Sequence, residues 1–135
     1  MRPYTILLCG DRNWTDEKLI RTVLNDWLRP KHDTVIHGDA RGADKLGAWV
    51  ARQSGVPPNR IIAYRADWKK YGKAAGPIRN QRMLKEGNPD LVLAFHHDIE
   101  HSKGTKHMID IARKAGVSVC LNGKELKWTQ ILMPL

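Results

Sequence analysis

Long hydrophobic runs are missing from this 135-residue chain. No segment approaches the roughly 20 apolar residues that a membrane-crossing helix needs. Met1-Arg2-Pro3 runs straight into a strand-like segment with no apolar leader, so a cytoplasmic protein without a membrane partner is expected. Cysteine is equally sparse: Cys9 and Cys120 each close an apolar run that reads as a buried strand, which favours two reduced core thiols over a disulfide or a metal pair. There is no internal repeat, low-complexity tail, lysine block or linker, so residues 1–135 read as one domain with a single core. The glycine spacings of the Walker A loop and of the dinucleotide fingerprint are absent, as is HExxH, which removes the ordinary NTPase, nicotinamide dehydrogenase and zincin classes.

Negative charge is also in short supply, with 14 Asp and Glu against 23 Lys and Arg, a formal net charge of +9. That exceeds what solubility requires and predicts attraction toward polyanions or phosphorylated small molecules. The basic residues are scattered from Arg2 to Lys127, densest at 65–73 and at Arg79/Arg82. Few aromatics interleave with them as stacking platforms would require, which ranks single-stranded nucleic acid below a small anion as partner.

What the chain does have is regular alternation of short apolar runs with helical patterns. Tyr4 to Cys9, Val35-Ile36, Ile61 to Tyr64, Leu91 to Phe95 and Val117 to Leu121 read as strands, and Leu126 to Met133 as a sixth or edge segment. Between them, Leu19, Ile20, Val23, Leu24, Trp27 and Leu28 form one helical stripe before Pro30. Further helices run from Gly42 to Gly55, from Pro77 as first residue toward Gly87, and from about Thr105 to Gly116. Five strands alternating with helices predict an α/β, Rossmann-like, three-layer fold with a parallel sheet in the order 3-2-1-4-5 and helices on both faces. Such a sheet places a ligand crevice at the carboxyl ends of its first and fourth strands, where the winding reverses.

The loops predicted to meet there carry the chemistry. His37-Gly38-Asp39-Ala40-Arg41-Gly42-Ala43-Asp44 links a strand to a helix through two glycines, a geometry that suits an anion on helix-opening amides. Plain chain reversal is the competing reading. Ser102-Lys103-Gly104-Thr105 offers a cation, close backbone approach and hydroxyls at a second helix start, where Ser102 or Thr105 also serves as a cap. Arg79 and Arg82, three apart, share a helix face suited to gripping phosphate, or simply face solvent. Trp68 and Tyr71 are candidates to stack on a base or to pack internally, and His37 to bind a ribose or a backbone group. His96, His97, Asp98, Glu100 and His101 crowd into one loop without metal-site spacing, so no cofactor is firmly implied and a divalent metal is a lesser expectation.

Taken together, Gly10-Asp11-Arg12, the 37–44 segment, Ala66-Asp67-Trp68, Gly72 to Asn80 with Met83-Leu84, and Ala94-Phe95 followed by Gly104-Thr105 closely resemble the SLOG superfamily. The match is to its YspA-like, cpYpsA-related branch, over residues 4 to 121. The resemblance implies a nucleotide-derived ligand in the crevice. Wider relatives include Lonely Guy phosphoribohydrolases, sensor domains for NAD-derived signals, and the single-stranded-DNA-binding DNA-processing protein A. Lonely Guy enzymes share a Pro-Gly-Gly-x-Gly-Thr-x-x-Glu segment whose glutamate is catalytic; Met108 stands at that position in this chain. Asp39, Asp44, Asp98 or Glu100 would then have to supply the acid, with Asp98 and Glu100 the first candidates.

The leading expectation is therefore a binder of a nucleotide or nucleotide-derived signal. Its phosphates would sit on amides near Gly42 and Gly104 and on Arg79 or Arg82. The wider ligand set is Gly10, Asp11, Arg12, Gly38, Arg41, Asp44, Asn80, Lys103 and Thr105. A hydrolase of an N-glycosidic or phosphate bond is the principal alternative. Related folds self-associate through helix faces, so a homo-oligomer is expected.

Overall fold

The computed structural model describes residues 2–127. Strands β1 (Thr5–Gly10), β2 (Thr34–His37), β3 (Ile61–Ala63), β4 (Leu91–Phe95) and β5 (Ser118–Leu121) alternate with helices, and a two-residue β6 (Lys124–Glu125) follows. The helices are α1 (Glu17–Trp27), α2 (Ala43–Gln53), α3 (Trp68–Tyr71), α4 (Ala75–Gly87) and α5 (Gly104–Lys114). The sheet order is β3-β2-β1-β4-β5-β6, with the first five strands parallel and β6 antiparallel to β5. The α/β fold and the 3-2-1-4-5 parallel order expected from the sequence are both present. Among the described residues no helix is long and apolar enough to cross a membrane.

Because side chains alternate across a strand, β1 feeds two cores. Ile6 and Leu8 pack with Ile20, Val23 and Leu24 of α1 and with Val50 and Ala51 of α2. Leu7 and Cys9 face the opposite layer, with Met83 of α4 and Met108, Ile109 and Ala112 of α5. The same alternation puts Cys120 in the first core and Cys9 in the second, so the sheet itself separates the two buried, free thiols.

Several local expectations need correction. Trp27 leaves the α1 stripe and is 44% exposed, because it closes the helix just as the chain turns away. Helix α4 starts two residues before Pro77, which remains within the first turn, where its missing N–H breaks no intrahelical bond. The polar segment before it is not irregular throughout: Asp67 caps α3 by accepting the Lys70 N–H. The last strand comes earlier than Leu126. Asn122 (φ 52°) and Gly123 (φ 86°) make the tight turn of a β5–β6 hairpin, a conformation Asn-Gly favours. Most of the Leu126 to Met133 segment lies outside the described residues.

The opposite end of the sheet from the crevice is tied by a buried carboxylate. Asp33 accepts the backbone N–H groups of Tyr4 (2.8 Å) and Arg29 (2.8 Å) and the Arg29 guanidinium (2.9 Å), which joins the starts of β1 and β2. Burial alone would raise this carboxyl, but those N–H groups and the guanidinium outweigh it and hold it below its ordinary value. Asp33→Ala is expected to lower the unfolding free energy in urea by about 3 kcal/mol, since it strands two buried N–H donors and a guanidinium. Arg2→Ala, which removes an exposed ion pair with Asp90, should change it by less than about 1 kcal/mol. Equal effects would refute this account of the sheet's lower end.

Candidate functional site

At the other end, β1 and β4 finish in register at Gly10 and Phe95, with β2 ending alongside at His37. The chain leaves β1 toward β2 on one side and β4 on the other, so the three following loops part over a crevice. Two adjoining cavities fill it. One, of about 290 Å³, is lined by Gly10, Asp11, Arg12, Asp44, Arg79 and Asn80, together with Ser102, Lys103, Gly104 and Thr105. The other, of about 550 Å³, is lined by Arg12, Gly38, Asp39, Arg41, Arg65, Trp68 and Arg79. Arg12, Ala40 and Arg79 border both.

The glycine loop is organised around a side chain rather than left open for a ligand. The Asp44 carboxylate, at the start of α2, accepts the Gly38 N–H (2.9 Å) and the Ala40 N–H (3.4 Å). The Ala43 N–H donates to the Asp11 carbonyl at 3.1 Å, which also accepts from Trp14. Gly42, at φ 76°, lies so close to the Asp11 and Arg12 carbonyls that any Cβ there would collide with them. Gly38 is approached in a different way: Arg79 donates to its carbonyl, and a Cβ there would sit 2.7 Å from the guanidinium carbon and displace that side chain. The Gly38 and Ala40 amides are thereby committed to an internal anion. Burial pushes the Asp44 carboxyl up to about 6 despite the nearby Arg79 and the two amides.

The second loop behaves similarly. Ser102 Oγ accepts the N–H groups of Thr105 (3.1 Å) and Lys106 (3.4 Å), so this hydroxyl is a helix cap. Asn80, buried on α4, donates to the Gly104 carbonyl (3.2 Å) and lies 3.1 Å from His107 Nδ1, clamping α5 against α4. Arg79 is held through Nε to Asn80 Oδ1 (3.1 Å) and through Nη1 to Gly38. Arg82 departs from its expected partnership: its Nε pairs with Glu86 at 2.8 Å, it covers the Tyr64 ring, and it lines neither cavity. One helical face splits because Arg79 lies over the sheet end while Arg82, a turn on, has an i,i+4 carboxylate beside it.

The acidic candidates of the histidine loop also lie away from the crevice lining. Asp98 is exposed and pairs with His101 at 2.9 Å, and neither it nor Glu100 lines either cavity. Hydrogen bonding to His101 draws the Asp98 carboxyl down, and the same contact raises His101. His37 is buried, lowered by that burial, and occupied as a structural acceptor, its Nδ1 receiving the Asp39 N–H at 3.0 Å. Tyr71 is exposed under Lys70 and lines neither cavity, whereas Trp68, 54% exposed, lines the larger one. Met108 and Cys9 give the smaller cavity an apolar part. Burial first, and then the Asp44 charge, raise the Cys9 thiol and keep it protonated. Among the described residues no group of three or more His, Cys, Asp or Glu is placed to hold a metal ion.

Asn122 escaped the sequence reading. Its amide exchanges two hydrogen bonds with the His96 backbone (2.9 and 2.8 Å), fixing the exit of β4. The Asn-Gly pair marks its turn in the sequence, but its partner is 26 residues away. Arg65 was legible only as part of a basic segment; its pairing with Asp39 at 2.8 Å on the wall of the larger cavity depends on the β2–β3 crossover.

The profile of the YspA, cpYpsA-related SLOG family matches residues 4–71. The Gene 61 protein of Mycobacterium phage D29 is 40% identical over 119 residues, which cover 84% of this chain and 92% of that protein. Among solved structures, DNA processing protein A from Streptococcus pneumoniae is similar with a TM-score of 0.60 at 18% identity, over 89% of this chain. The matched part is 50% of that structure, so the chain spans half its length, and the likeness is one of fold.

The Asp44 environment has a pH signature. A carboxyl raised from an ordinary 3.8 to about 6 contributes stability below the lower value that is lost as pH rises through the upper one. The stability of the wild type relative to Asp44→Asn should therefore decline between pH 4 and 7, by about 3 kcal/mol. Urea melts across that range test this, and a pH-independent difference would refute the buried-acid assignment.

Proposed function

The chain belongs to the YspA, cpYpsA-related SLOG family, and from that premise we propose that it binds a nucleotide or nucleotide-derived ligand in the double cavity. One observation carries the reading. Arg12, Arg79 and Lys103 come from three separate segments to the same crevice, and among the described residues Arg12 and Lys103 have no side-chain hydrogen bond or ion pair. Cations left without internal partners beside a polar cavity suit an external anion. Because Asp44 and Ser102 already take the N–H groups of Gly38, Ala40, Thr105 and Lys106, we assign the phosphate chiefly to these three side chains. Asp11 and Asp44, on the same wall, are the acceptors for sugar hydroxyls.

Asp44 also supports a second reading, hydrolysis of the bound ligand. Asp44 lines the smaller cavity and is raised by burial to about 6, which suits proton transfer near physiological pH. A hydrolytic role therefore moves from Asp98 and Glu100 to Asp44. The proton would pass from its carboxyl to the leaving nitrogen or oxygen as that bond to carbon or phosphorus breaks, water would add to the same carbon or phosphorus, and the carboxylate left behind would take up the proton that water loses.

Thermal shift and calorimetry with nucleoside monophosphates, ADP-ribose and cyclic nucleotides should give binding by at least one of them. Arg79→Ala should weaken that binding by about 1.5–3 kcal/mol, the range for a charge-assisted bond. Lys103→Ala, at an exposed cap position, should weaken it without lowering the melting temperature. Unchanged affinity in both variants would overturn the assignment. Chromatography of the same mixtures tests cleavage: free base or ribose phosphate should appear and vanish in Asp44→Asn, while loss in Asp98→Asn instead would overturn the Asp44 reading.

A further inference from the structure

The crevice is two cavities joined at a cationic waist, and its two ends differ in chemistry. Arg12, Ala40 and Arg79 border both cavities. Arg79 is immobilised through Nε and Nη1, and among the described residues its Nη2 has no hydrogen-bond partner. Ala40, the third shared residue, carries only a methyl group. The smaller cavity has Asp11, Asp44 and Lys103, which suit hydroxyl groups and a phosphate. The larger has an indole, Trp68 of α3, 54% exposed, with the Arg65–Asp39 pair on the same wall. An exposed aromatic beside arginines is a stacking surface.

We propose that the ligand is two-lobed, a dinucleotide or nucleoside-diphosphate conjugate whose phosphate bridge lies between Arg12 and Arg79 with one organic half in each cavity. This deepens the nucleotide reading and rests on it. A mononucleotide meets only one of the two chemistries, whereas a bridged ligand uses both and places its negative charge at the waist. Joining two weakly held halves through one linker raises affinity above that of either half, because the second half binds at high effective concentration. Size agrees, since cavities of about 290 and 550 Å³ both approach or enter the usual range for small-molecule sites.

Calorimetry of the full chain with AMP, ADP-ribose, diadenosine diphosphate and a single-stranded oligonucleotide, at one salt concentration, tests this. The bridged ligands should bind at least about tenfold tighter than AMP. Lys103→Ala and Trp68→Ala, one for each cavity, should both weaken the bridged ligands about tenfold, and AMP should respond to only one of them; Trp68→Phe should restore most of the loss. Melting temperatures near wild type identify variants that remain folded. Bridged ligands no tighter than AMP, or sensitive to one substitution only, would overturn the two-lobed site and leave the nucleotide reading standing. Two AMP molecules per chain with no gain on bridging would do the same. Tighter binding of the oligonucleotide would overturn the proposal in favour of nucleic acid. Failure of every nucleotide to bind would overturn both readings.

Discussion

The Asp44 carboxylate under the 38–42 loop is the constraint on which the crevice depends. It places a negative charge where the backbone N–H groups of Gly38 and Ala40 converge, which fixes the path of the chain out of β2 and the first turn of α2. That path brings the Gly38 carbonyl within reach of Arg79, and Arg79 in turn orients the Asn80 side chain that holds Gly104. The loops after β2 and β4 are thus tied through one arginine and one asparagine on α4, and the loop after β1 joins them through the Ala43 N–H on the Asp11 carbonyl. A residue without a side-chain acceptor at position 44 would leave two N–H donors unpaired and the first link of this series undone.

The internal carboxylate also changes what the loop can recognise. Helix N-termini attract anions because their first N–H groups lack partners. Here Asp44 and Ser102 supply internal acceptors near both helix starts, and the residual cationic capacity moves outward to guanidinium and ammonium groups. Side chains of that kind read the spacing of phosphates and their neighbours more than the shape of a single anion. The crevice is consequently wide, and its two cavities share a boundary made of Arg12, Ala40 and Arg79.

Sequence reasoning succeeded where one short segment contained the whole physical cause. Continuous apolar runs in β1 and β4 mark strands buried on both faces, as Ile6, Leu7, Leu8 and Val92, Leu93, Ala94 prove to be. It was incomplete where the outcome depended on how the sheet sets each loop and helix turn beside the crevice. Arg79 and Arg82 are equivalent in spacing, yet one lies across Gly38 and the other beside Glu86. Asp98 and Glu100 stand out among polar residues, but the loop after β4 folds Asp98 onto His101. Asn122 was missed, since the His96 backbone it fixes lies at the exit of another strand.

What the chain's order of residues determined alone is the alternation of strand and helix, the parallel winding, and the presence of glycine-rich and basic loops at the strand ends. These follow from local periodicity and from the handedness of crossovers, which need no knowledge of distant contacts. Only the tertiary structure decided which polar groups satisfy one another and which remain for a partner. Asp44 and Ser102 turn inward to backbone amides, Arg82 pairs along its helix, and Arg12, Arg79 and Lys103 border the crevice. Hydrogen bonds are local in space rather than in sequence, so that division appears once the loops are brought together by the sheet.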